Sequence, residues 1–466
     1  MAGISFWAYN GSMKCLLLDI AYGLLMVLLA PWILYRLIAQ KRYRCGWKER
    51  LGGVPWRYTD QPGIWIHAVS LGEINALQTL IAEIERILPQ YEVVISSTTD
   101  TGMARAKKLY GDTHRVFFFP LDFSWAVKRA FKRLRPQLCI LMELEVWPNF
   151  TALAQQSSVP VVVANGRISS GKGFPRYRRI AWLIRPIFRR LTLVLTQDDN
   201  YAERFRFLGV PAERVQMMGS LKYDTAEVSG TVEGQEELAR QLQLNKNDPI
   251  WVAGSTGPVE EEIILECFKK LRADKKFEKL RLVIVPRKPE RFEEVARLVE
   301  TKGYRLLRYS RVKQNDYQVD EKDGGAVILG DTMGDLRKFY SLAEVVFVGR
   351  SLVPMGGSDM IEAAGLGKAV VMGPYTDNFI DAVQKLLAGK AVEIVADGQQ
   401  LTEVLKKLLT DKEKARQMGV RARQVIIDNK GATLRTVEAI VKVLGLQMPL
   451  GPKGVATEPV ICPGKC

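Results

Sequence analysis

The sequence predicts an α/β protein of two doubly wound parallel sheets, each Rossmann-like, behind an N-terminal membrane-anchor helix. Three observations carry that expectation. Short apolar runs alternate with helical patterns from residue 63 onward, a polar stretch at 224–248 interrupts them, and the alternation then restarts over a similar length. Strands interleaved with helices at this spacing argue for parallel sheets. A chain of 466 residues also exceeds one core, at about 150 residues per domain.

The anchor comes first, assigned to 14–40. LLLDIAYGLLMVLLAPWILY (16–35) approaches the length of about 20 apolar residues that crosses a bilayer. Lys14 precedes it, whereas Arg36, Lys41, Arg42, Arg44, Lys48 and Arg50 follow, which puts the later chain on the cytoplasmic side of the membrane. The basic cluster and the lack of an A-x-A site argue against a cleaved signal peptide. Asp19 and Pro31 interrupt the apolar run, so spanning and lying in the interface both stay open.

The first unit, 41–225, has candidate strands GIWIHAVS, YEVVISST, THRVFFFP, QLCILME, VPVVVANG and LTLVLTQ. The second, 226–430, has PIWVAGST, LRLVIVPR, GAVILGD, AEVVFVGR and KAVVMGP. A C-terminal helix is expected at 431–448 and a disordered tail at 449–466. Two such halves leave a cleft at the carboxyl ends of their strands, where ligands bind.

Charge and composition narrow the chemistry. The net charge of +16 calls for an anionic partner. Two histidines and six cysteines without a CxxC pair give neither a zinc ligand set nor a Cys/His nucleophile, and the scattered thiols suit a reducing compartment. No metal is assigned.

Five stretches can carry a site. In HAVSLGEINA (67–76), Ser70 and Glu73 stand three apart at a strand-to-helix junction, the spacing of a capping box, and on the pattern alone that reading leads; proton transfer by Glu73 would alternate with it, because a carboxylate bonded to its own helix is a poor base. In MELEVWPNF, Glu143 and Glu145 end a buried strand, where burial raises a carboxyl pKa. NGRISSGKGFPRYRRIAWLIRPIFRR (165–190) interleaves eight basic residues with aromatics, as a lipid-headgroup or nucleic-acid surface would; beside a membrane segment, lipid is favoured. In GGSDMIEAAGLGKAVVMGP, Gly356 and Gly357 precede a helix with Glu362 one turn in, a geometry for a nucleotide phosphate and ribose. Arg287 in VPRKPERF suits a phosphate. Asp331 and Asp335 of GDTMGDL read as turn and cap.

Taken in order with STTDTGMARAKKLYGD, PLDFSWAVKRAF, GSLKYD and FVGRSLVP, these stretches resemble the 3-deoxy-D-manno-octulosonic acid (Kdo) transferases, membrane-associated glycosyltransferases of the GT-B fold. The resemblance runs from about residue 42 to 445. It implies inverting, metal-independent transfer of Kdo from CMP-Kdo to a lipid A precursor (lipid IVA), with no cofactor and no nucleic-acid partner. Glu73 matches the general base, Glu143 and Glu145 the neighbouring acids, and Lys222 the charge-stabilising lysine of GSLKYD. Arg287, Met333, Gly334 and Glu362, with the loop Gly356, Gly357, Ser358 and Asp359, match the CMP site. Ser70, Gly72, Arg167, Arg176, Arg178 and Arg179 fall where the acceptor binds, beside a phospholipid surface.

Three departures lie in the donor half. GGSDMIE replaces GGHNPLE, Lys288 replaces a histidine, and GSTGPVEEE replaces STHEGEE. Asp359 puts a negative charge near a phosphate, for which Lys288 is the candidate partner. These changes leave open another sugar-nucleotide donor, or a non-catalytic homologue that binds anionic lipid.

Overall fold

Parallel strands covered on both faces organise each half of the chain. The structure is a computed structural model that describes residues 2–38, 45–169, 171, 173–245 and 248–448. The basic residues Lys41, Arg42 and Arg44 and the 449–466 tail, with Cys462 and Cys466, lie outside the described residues, as do the side chains of Lys14 and Arg36. The chain divides into two units. One runs to Thr225 and resumes at Gly431; the other is Ala226–Lys430.

The first unit holds β1 (Gly63–His67), β2 (Glu92–Ser97), β3 (Arg115–Phe118), β4 (Pro136–Met142), β5 (Val161–Gly166), β6 (Leu193–Thr196) and β7 (Val215–Met217). They form one sheet in the order β3-β2-β1-β4-β5-β6-β7, with every pair parallel. Side chains alternate across it, as the period of two requires. Ile64 and Ile66 pack with Leu77, Leu80 and Ile84 of the Leu71–Ile87 helix. Trp65 faces the other layer, against Phe117, Phe131 and Phe150. The strand order reverses between β1 and β4, so the loops that leave these two neighbours part and open a crevice at their carboxyl ends.

The second unit holds β8 (Ile250–Thr256), β9 (Arg281–Pro286), β10 (Leu306–Arg308), β11 (Val327–Leu329), β12 (Val345–Val348), β13 (Ala369–Met372) and β14 (Val392–Ile394). Their order, β10-β11-β9-β8-β12-β13-β14, reverses between β8 and β12. The apolar runs in the sequence became strands. Three further strands, β7, β10 and β14, have only three residues each and lie at sheet edges. Such a strand has too few buried positions to leave an apolar run.

Among the described residues one helix, Ala2–Ile38, is long and apolar enough to cross a membrane; its Cys15–Trp32 window has a mean hydropathy of 2.0. It begins well before the expected residue 14. Cys15, Cys45, Cys139 and Cys267 are unpaired thiols.

The last helix, Ala432–Val443, returns to the first unit, where Ala432, Val437 and Ile440 join the core around Ile64. Asp224 fixes its start: one carboxylate oxygen accepts from the Gly431 N–H at 2.6 Å and the other from the Thr433 N–H at 2.5 Å. A cap supplied from more than two hundred residues away thus closes the unit. Replacing Asp224→Ala leaves both donors without that partner and is expected to lower stability by about 1–2 kcal/mol, read as a lower midpoint in thermal or urea unfolding of the full chain.

Candidate active site

Glu73 lies in the first turn of the Leu71–Ile87 helix, beside the crevice between β1 and β4. The capping box is formed: Ser70 Oγ accepts from the Glu73 N–H at 3.3 Å, and Glu73 Oε1 accepts from the Ser70 N–H at 3.2 Å. Oε1 also accepts from the Ser70 hydroxyl at 2.7 Å, and Oε2 from the Val69 N–H at 2.9 Å. A carboxylate offers about four lone-pair positions. Three are filled, and among the described residues no further donor reaches Oε2. Capping and proton transfer therefore need not alternate, because the cap leaves one position on Oε2 open.

The next peptide, Val69–Ser70, whose N–H donates to Oε1, is clamped: its carbonyl, that of Val69, accepts from Thr99 Oγ1 at 2.6 Å and from Ser97 Oγ, at the end of β2, at 3.2 Å. A Cβ at Gly102 would lie 2.5 Å from Ser97 Oγ and 2.6 Å from the Val69 oxygen, so glycine is required there. His67, at the end of β1, is fully buried and stacked on Phe119 at 3.8 Å. Burial depresses its pKa to about 3, which leaves it neutral and packed.

Glu143 and Glu145 leave the end of β4, next to β1. Burial raises the Glu73 carboxyl, and the Glu143 charge raises it further against the opposing hydrogen bonds. Glu145 is half-buried; burial, then Glu73, pushes its pKa up to about 7, while a 3.1 Å bond from Trp147 Nε1 opposes the rise. Three carboxylates thus crowd one crevice. Tyr177 also feels the Glu145 charge, which brings the Gly173–Arg179 helix over the cluster. Arg176, Arg178 and Arg179 on that helix are exposed, and Arg167 follows β5 at the same edge of the sheet.

Lys222 is half-buried on the Leu221–Thr225 helix, which packs against the helix of Glu73. Asn165 Oδ1 accepts from the Leu221 N–H at 3.2 Å and so holds that helix to the end of β5. Asn165 opens the basic stretch 165–190, where the sequence assigns it no role. Its φ of 55° and its buried Nδ2, unpartnered among the described residues, mark it as part of the site, and neither signal is visible in sequence. Gly72 is exposed, and a Cβ there would meet nothing nearer than Ser70 Oγ at 3.9 Å. Packing does not demand glycine at that position.

In the second unit, Glu260 organises the ends of β8 and β12. Its Oε1 accepts from the Ser351 and Leu352 N–H groups at 2.7 and 2.9 Å, and its Oε2 from those of Gly257, at 2.9 Å, and Arg350. Ser255 and Arg350, at those two strand ends, have φ of 55° and 59°. The sequence had shown only an altered GPVEEE run there. Ser358 donates to the Ser255 carbonyl at 3.2 Å, and Asp359 accepts from the Ile361 N–H at 2.9 Å. The departures from GGHNPLE are thus absorbed as loop contacts. No ion pair joins Asp359 to Lys288 among the described residues.

Gly356 and Gly357 have φ of 81° and 79°, and a Cβ on Gly356 would lie 2.5 Å from Asn378 Nδ2. Glu362 is the second residue of the Ile361–Gly365 helix, not a full turn in as the spacing suggested, because the helix begins only after Met360. Burial and Asp359 push its carboxyl up, and Arg337 and Arg287 pull it down, so Arg287, Asp359 and Glu362 share one neighbourhood. Met333 and Gly334 stand on the separate loop after β11, with Met333 72% exposed and Gly334 at φ 94°. Asp331 bonds Arg308 and Asp335 bonds Lys313, at 2.7 and 2.6 Å, so both aspartates hold that loop. Among the described residues no group of three or more His, Cys, Asp or Glu side chains is placed to hold a metal ion.

Two seven-stranded parallel sheets in separate units make up the GT-B fold. A glycosyltransferase crystal structure from Rickettsia africae ESF-5 shares the fold, with a TM-score of 0.58 and 12% identity over 83% of this chain and 99% of that one. The sequence profile of 3-deoxy-D-manno-octulosonic-acid transferase (kdotransferase) matches residues 45–225. The 3-deoxy-D-manno-octulosonic acid transferase of Haemophilus influenzae is 32% identical over 90% of this chain and 97% of its own. That of Bordetella pertussis is 32% identical over 82% and 87%. The chain belongs to the 3-deoxy-D-manno-octulosonic acid transferase family, and is a glycosyltransferase that transfers Kdo in lipopolysaccharide synthesis.

Two outcomes test this geometry. Glu145 has a folded pKa of about 7, above the ordinary 4.5, so the stability it contributes is present at acid pH and lost as pH rises through 7. Glu145→Gln should therefore raise stability at pH 8 by about 1–2 kcal/mol and change it little at pH 4, measured by unfolding midpoints at both. Glu260→Gln turns an amide NH2 toward two backbone N–H groups and should cost about 2–4 kcal/mol, seen as earlier unfolding or proteolysis within Ala226–Lys430.

Proposed function

We propose that the protein transfers Kdo from CMP-Kdo to a lipid A precursor, lipid IVA, at the cytoplasmic face of the inner membrane, with inversion and without a metal. Glu73 is the base. The observation that carries this reading is its Oε2, which accepts from the Val69 N–H yet is left with one open lone pair beside two further carboxylates. Oε2 takes the proton of the acceptor hydroxyl. The oxygen attacks the Kdo anomeric carbon from the side opposite the phosphate, and the bond to CMP breaks with its electron pair leaving on the phosphate. Attack opposite the leaving group inverts the centre.

Crowding by Glu143 and Glu145 keeps the base from being too weak, since a raised pKa brings it nearer the working pH. Lys222 and Arg287 supply positive charge to the departing phosphate, the electrostatic stabilisation a metal would otherwise give. Glu362, Met333, Gly334 and the Gly356–Asp359 loop hold CMP. Ser70, the uncrowded Gly72, and Arg167, Arg176, Arg178 and Arg179 receive the phosphorylated disaccharide. The apolar helix and the net charge of +16 favour an anionic phospholipid surface.

The test is transfer from CMP-Kdo to a tetra-acylated lipid A precursor in detergent, by wild type and Glu73→Gln. The variant keeps the shape and is expected to lose about 10²–10⁴-fold in rate while binding donor normally. Equal rates would move the base to Glu143 or Glu145, and no product from either protein would overturn the assigned donor or acceptor.

A further inference from the structure

The apolar helix bears a charge, Asp19, that a bilayer disfavours. The structure shows where that charge goes. Asp19 Oδ1 accepts from the Ser124 N–H at 2.8 Å and from Asn149 Nδ2 at 2.9 Å, and its Oδ2 accepts from the Ser124 hydroxyl. One turn on, the Tyr22 hydroxyl donates to Asp122 at 3.2 Å and its ring meets Phe123 edge-on at 5.9 Å. Asp122 is built into the unit, accepting from the Asn149 and Phe150 N–H groups at 3.0 and 2.8 Å. Cys15, Leu18, Asp19 and Tyr22 form the stripe of the helix that is covered, one face at helical spacing.

Beyond Gly23 that cover ends. Leu24, Val27 and Leu28 are 63%, 72% and 76% exposed. By Gly46 the chain is back on the same unit: a Cβ there would meet the Phe118 ring at 1.9 Å, and the Gly46 carbonyl accepts from the Arg50 N–H at 2.8 Å. Both flanks of the exposed apolar segment are therefore fixed to one body, on one side of any membrane it meets. From Gly23 to Ile38 a helix rises about 24 Å, short of the roughly 30 Å hydrocarbon core. Beside the latch, the Ser124–Leu134 helix exposes Trp125, Lys128, Arg129 and Lys132, an aromatic followed by a basic stripe at helical spacing that suits anionic headgroups.

We propose that the anchor is monotopic: residues 23–38 enter a bilayer of anionic phospholipid from the side that carries the first unit, and the Asp19 latch to Ser124 and Asn149 keeps them from crossing. This rests on the membrane reading above, and the experiment separates the two. The full chain is expected to float with vesicles of phosphatidylglycerol and phosphatidylethanolamine; failure to float would overturn the membrane reading itself. In spheroplasts of a Gram-negative host, an Asn10→Cys chain is treated with a membrane-impermeant maleimide before and after permeabilisation. The monotopic anchor predicts loss of labelling in intact spheroplasts and its appearance only afterwards, alongside the exposed Cys45. Labelling of Asn10→Cys in intact spheroplasts, by a chain that floats, would show a crossing helix and overturn the proposal. Adding Asp19→Leu should release the latch and expose the new thiol to the outside; unchanged protection would overturn the role given to Asp19.

Discussion

The carboxylate of Glu73 is held by three hydrogen bonds from its own junction, and the direction left open on Oε2 is the constraint around which the first unit is arranged. The Val69–Ser70 peptide is the pivot. Its N–H, that of Ser70, points at Oε1 because its carbonyl, that of Val69, is pinned by Thr99 and Ser97, and they reach it because Gly102 has no side chain to intervene. STTDTG and HAVSLGE, thirty residues apart in sequence, are thus halves of one device joined across the β1–β2 pairing. The reversal of strand order beside β1 then opens the crevice into which that carboxylate looks, with Glu143 and Glu145 on the neighbouring strand end.

The second unit answers the same problem with a different carboxylate. Glu260 is buried and gathers four backbone N–H groups, so it ties two loops together rather than facing a ligand. Left-handed backbone at Glu143, Asn165, Ser255 and Arg350 falls at the carboxyl ends of strands in both sheets. Such conformations cost energy that surrounding bonds must offset, and here the neighbours Ala164, Leu221, Ser358 and Glu260 provide those bonds. Strain and site coincide because strand ends in doubly wound sheets are where a chain must turn sharply and still present polar groups.

Much of this was legible in the residues. Long apolar runs such as IWVAGST marked the central strands, and Ser70 with Glu73 marked the helix start. The edge strands β7, β10 and β14 were not legible, since three residues paired on one side leave no pattern. Nor was the return of Ala432–Val443 to the first unit, which depends on Asp224 meeting Gly431 and Thr433 in space. The departure at Ser358 and Asp359 looked like a change of ligand chemistry; in three dimensions Ser358 bonds the end of β8 and Asp359 its own loop. Asp19 looked like a flaw in an apolar segment and is the residue by which that segment is docked. For Asp224, Ser358 and Asp19 the missing information was a partner distant in sequence.

The central claim is that the clamped Val69–Ser70 peptide sets the ionisation of Glu73 as the base. It is tested most directly by the pH dependence of kcat/KM for Kdo transfer in wild type and Thr99→Val. The Ser70 N–H bond lowers the Glu73 pKa, so weakening the clamp on that peptide should raise the pKa and move the acid limb of the profile to higher pH, with KM for the donor unchanged. An acid limb at the same pH in both proteins would contradict the account.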